Sequence, residues 1–113
     1  MHGIYASEIK LAGKRGRMLD ECKAIPNYAN KSRDLMFLQH VASVCITISP
    51  KAENQDVIVM QVFQELFPNE CKVAAFTEEV KSNLAYLRGA GMIRAYTRLD
   101  RIFQAIRAFF RIF

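Results

Sequence analysis

Apolar residues that recur every three or four positions, in separate stretches cut by proline and glycine, constrain this chain most: they allow helices packed on a common core and leave little sequence for a sheet. The clearest stretch is C-terminal, where Leu99, Ile102, Phe103, Ile106, Phe109, Phe110 and Phe113 form a narrow stripe with Arg98, Arg101, Arg107 and Arg111 outside it. A basic amphipathic helix of this kind closes a core, pairs with its own copy or lies on an anionic surface. Closing the domain's own core is the default expectation, and dimerisation ranks ahead of membrane contact, because four phenylalanines on one face suit tight packing.

Three further stretches read the same way. After Ser32, taken as N-cap, the residues Leu35, Leu38, Val41, Ala42, Cys45 and Ile48 share one face, although the β-branched run Val44 to Ile48 is also compatible with a strand before Pro50. Asn54 to Phe67 reads as the central core helix, stopped by Pro68, with Met60, Phe63 and Phe67 as packing residues. A helix from Thr77 as N-cap buries Val80, Leu84 and Leu87, places Glu78 and Glu79 in its first turn and ends at Gly89 and Gly91. Met92 to Arg98 is a short candidate strand. Near the N-terminus, Gly13 and Gly16 within a basic run predict a loop or helix break, followed by a short helix from Met18 to Ala24 that Pro26 ends. The expected architecture is a mainly α, small helical domain of four to five helices over residues 1–113, with residues 1–17 as a flexible basic segment.

Half of the 113 residues are apolar, enough for one core without disulfides or metals. The three cysteines, Cys22, Cys45 and Cys71, are odd in number and far apart, unlike a disulfide framework or a zinc site. No apolar run approaches the length of a membrane span, and the first residues lack the pattern of a secretory signal, so the expected compartment is the cytoplasm. The net charge of +5 hides an uneven distribution. Residues 1–33 carry seven Lys/Arg against three Asp/Glu, residues 34–79 two against seven, and residues 80–113 seven against one, giving +4, −5 and +6. Basic ends that meet in the fold attract phosphate or an acidic protein surface; dispersed, they serve solubility.

Catalytic chemistry is not legible. There is no Ser/His/Asp set, paired carboxylate site, zinc spacing or nucleotide fingerprint, and the two histidines are His2 and His40. No enzyme activity, cofactor or metal is expected, and His40, beside an apolar face, is read as structural.

One local pattern points to a family. Leu84-Ala85-Tyr86-Leu87-Arg88-Gly89-Ala90-Gly91-Met92-Ile93 resembles the end of the recognition helix and the following turn of winged-helix transcription regulators, which commonly read Leu-x-x-Leu-Arg-x-Ala-Gly-Leu-Val. The resemblance covers about ten residues. It implies a short β-hairpin wing starting at Met92, Asn54 to Phe67 as the first helix of the motif, and DNA contacts from Lys81, Ser82, Tyr86 and Arg88, with Ala85 beside them and Arg94 and Arg98 beyond the turn. Two functions follow as expectations: a small, dimeric, non-enzymatic nucleic-acid-binding regulator, or a protein-interaction module such as an adaptor or a small inhibitor of a larger complex.

Overall fold

A computed structural model describes residues 2–93, with side chains from residue 13 onward. Four helices follow in order: α1 (His2–Lys23), α2 (Leu35–Ile48), α3 (Gln55–Leu66) and α4 (Ala74–Gly89), with single 3-10 turns at Tyr28–Asn30 and Glu70–Lys72. The mainly helical expectation holds. The β-hairpin is not shown: the described residues contain no strand, Met92 and Ile93 form a bend, and residues 94–98 lie outside the described part. So do Arg94, Arg98 and the whole Leu99 to Phe113 stripe.

Three boundaries differ from the sequence reading. The break expected around Gly13 and Gly16 is absent; α1 runs unbroken through both for 22 residues. Each glycine costs a helix about 1 kcal/mol relative to alanine. That penalty is opposed by helix-forming Lys, Arg, Met, Leu and Glu around them, and by burial of Met18 and Cys22.

The N-cap of α2 is Asp34, not Ser32. Its Oδ1 accepts from the backbone N–H of Met36 (2.9 Å) and Phe37 (3.3 Å), two of the donors that a helix start leaves unpaired. The helix then continues through Val44 to Ile48, so that run is helical rather than extended.

The third helix begins as expected, with Asn54 Oδ1 accepting from the Val57 N–H at 3.3 Å. The loop before it is fastened by the buried Gln55, whose Nε2 donates to the Ser49 carbonyl at 2.8 Å. The fourth helix starts at Ala74, one turn earlier than expected. Thr77 is therefore inside α4, and its hydroxyl donates back to the Cys71 carbonyl (3.2 Å) instead of capping. Glu78 and Glu79 consequently fall beyond the first turn, where the helix dipole favours them less.

One buried cluster joins all four helices: Met18 and Cys22 from α1, Phe37, Val41 and Cys45 from α2, Val59, Val62 and Phe63 from α3, and Val80, Leu84 and Leu87 from α4. Phe67, just past α3, has its ring 4.8 Å from Phe63 and 5.8 Å from Phe37 in an edge-to-face arrangement. Phe63 and Phe67 are thus packing residues, as their spacing suggested.

Candidate interaction surface

Helical geometry sorts α4 into three sides. Phe76, Val80, Leu84 and Leu87 face the core. Lys81 and Arg88 lie on the flank toward α3, whereas Ser82, Ala85 and Tyr86 point outward and are exposed. Tyr86 is 62% exposed, beside Met36 at 59% and Val73 at 57% among the described large hydrophobic residues.

The two cations of this helix are engaged internally. Arg88 Nη2 meets Asp56 Oδ1 at the start of α3, bridging 32 residues of sequence, and Lys81 Nζ is 3.3 Å from Glu78 Oε1 one turn earlier. With Glu79, α4 holds two acids and two bases and carries no net charge. The structure therefore brings Lys81, Ser82, Tyr86 and Arg88 onto one helix, but turns the arginine toward α3 instead of outward. Arg94 and Arg98 belong to the part outside the described residues.

A groove of about 470 Å³ runs between α3 and α4. Met60 and Leu84 form its floor, Val57 its apolar lip, and Gln61, Gln64 and Lys81 its rim, with Asp56 at one end. A second groove of about 350 Å³, between α1 and α2, is walled by Arg17, Glu21, His40, Ser43 and Thr47 over Val44. The ring centroid of His40 lies 6.4 Å from that of Phe37, and its Nε2 is buried without a hydrogen-bond partner among the described residues.

Basic residues of α1 are disposed differently from those of α4. Arg15 is 3.5 Å from Glu65 of α3, but Lys14 and Arg17 are exposed and make no ion pair among the described residues. Cys22 and Cys45 are fully buried; burial pushes their thiols up to about 11 and about 12, with Glu21 adding to the first shift and Cys22 to the second. Such thiols are poor nucleophiles and poor metal ligands. Among the described residues no three His, Cys, Asp or Glu side chains come together as a metal site, and no helix is long and apolar enough to cross a membrane.

Sequence reasoning placed Tyr86 on the outer face but missed both long-range partners, Asp56 for Arg88 and Glu65 for Arg15. Neither pair has a local signal, since helix-neighbour rules reach only three or four residues. No family model, curated protein or solved structure gives a significant match to this chain.

Proposed function

We propose that this chain is a non-enzymatic protein-interaction module whose partner seats on the outer face of α4 around Tyr86. The observation that carries this reading is the internal pairing of Arg88 with Asp56 and of Lys81 with Glu78. It leaves a face with no outward-aimed cation, on which an exposed tyrosine stands beside the small residues Ser82 and Ala85, with the exposed Glu79 two turns away. Phosphate recognition needs cations aimed outward, whereas a protein interface is commonly anchored by an aromatic side chain on a weakly charged patch. Two fully buried thiols and a half-buried third, with no disulfide among them, fit a reducing cytoplasm.

The test is affinity purification of the full chain from its native cell, with and without nuclease, beside Tyr86→Ala. Retained protein should survive nuclease and be weakened about tenfold or more by Tyr86→Ala, the usual effect of removing an interface anchor. Loss of all bound material after nuclease would favour nucleic acid instead.

A second reading, the nucleic-acid-binding regulator with winged-helix character, draws on a different observation. Lys14 and Arg17, exposed on α1 without ion-pair partners among the described residues, belong to the N-terminal third that sums to +4. In this reading α1 supplies phosphate contacts, and Lys81 and Arg88 join only by leaving Glu78 and Asp56. Lys14→Glu with Arg17→Glu should then weaken duplex binding in a gel shift and flatten its salt dependence.

A further inference from the structure

We draw no further inference here: the strongest candidate, the groove between α1 and α2 lined by Arg17, Glu21, His40, Ser43 and Thr47, sets one cation against one carboxylate and keeps the unpartnered His40 Nε2 buried and closed to a ligand, so nothing in the structure selects what would occupy it.

Discussion

Arg88 and Asp56 tie the C-terminal half of α4 to the first turn of α3, and this one contact changes how the basic residues of α4 are understood. The arginine side chain is 31% exposed and the aspartate 51% exposed. A pair of that exposure contributes on the order of 0.5 to 1 kcal/mol after solvent screening. Asp56→Asn should lower stability by about that amount in a urea titration. Arg88→Ala should cost more, because the arginine side chain is only 31% exposed and its buried stem is lost as well. If Asp56→Asn also creates tight duplex binding, Arg88 is a masked nucleic-acid contact and the α4 assignment returns.

Thiol reactivity should separate the three cysteines. Cys22 and Cys45 are fully buried, whereas Cys71 is partly exposed and its thiol is raised less deeply, by burial first and Glu70 second. Alkylation of the native protein at mildly alkaline pH should label Cys71 first, with the other two reacting only as the protein unfolds. Mass spectrometry of timed samples reads the order; equal rates at all three would contradict the buried α1–α2 seam.

The same thiols give the fold a pH limit. Their folded-state values lie above the ordinary 9.0, so the unfolded chain loses these protons first as pH rises. Their contribution is complete below pH 9 and declines from there toward the folded values of about 11 and about 12. Thermal melts from pH 8 upward should show this loss. Cys22→Ala with Cys45→Ala, though less stable at neutral pH through lost packing, should show a shallower decline.

Capping residues show why part of the fold was legible and part was not. The apolar period that starts at Val57 marks the α3 stretch from Asn54, and the structure makes Asn54 its cap, accepting from the Val57 N–H. Before α2, Ser32 and Asp34 both qualify by type, and only the structure shows Asp34 accepting from Met36 and Phe37. Asp34→Ala should therefore cost about 0.5 to 2 kcal/mol, while Ser32→Ala should be nearly silent. At α4 the hydroxyl of Thr77 looked like a cap by type, yet its partner is the carbonyl of Cys71, and Val73 begins the helix with no side-chain cap. Apolar periodicity thus revealed which residues face the core, since burial follows the helical repeat. Charge pairing escaped it, because Arg88 could be matched to Asp56 only after α3 and α4 were laid side by side. The candidate surface was read in half: Tyr86 by its position outside the apolar stripe, the groove not at all.

Gly89 and Gly91 stand two residues apart at the end of α4, and substitution by alanine should move stability in opposite directions. Gly91 has φ +74°, the left-handed conformation that an L side chain resists. Around it the Met92 N–H bonds the Leu87 carbonyl at 2.9 Å and the Gly91 N–H bonds the Arg88 carbonyl at 3.1 Å, the pairing of a Schellman turn. Alanine there strains the turn that carries Ile93 into the core and Met92 toward Gln39, so Gly91→Ala should destabilise by roughly 1 kcal/mol or more. Gly89 is the last residue of α4 itself, and a Cβ added to it meets nothing within 4 Å. Alanine restricts the unfolded chain there without a clash, so Gly89→Ala should stabilise by about 0.4 to 1 kcal/mol. Chemical denaturation of the two single variants reads both signs. A destabilising Gly89→Ala would mean that α4 ends before Gly89, and a neutral Gly91→Ala would remove the left-handed turn from the account of how the chain leaves this helix.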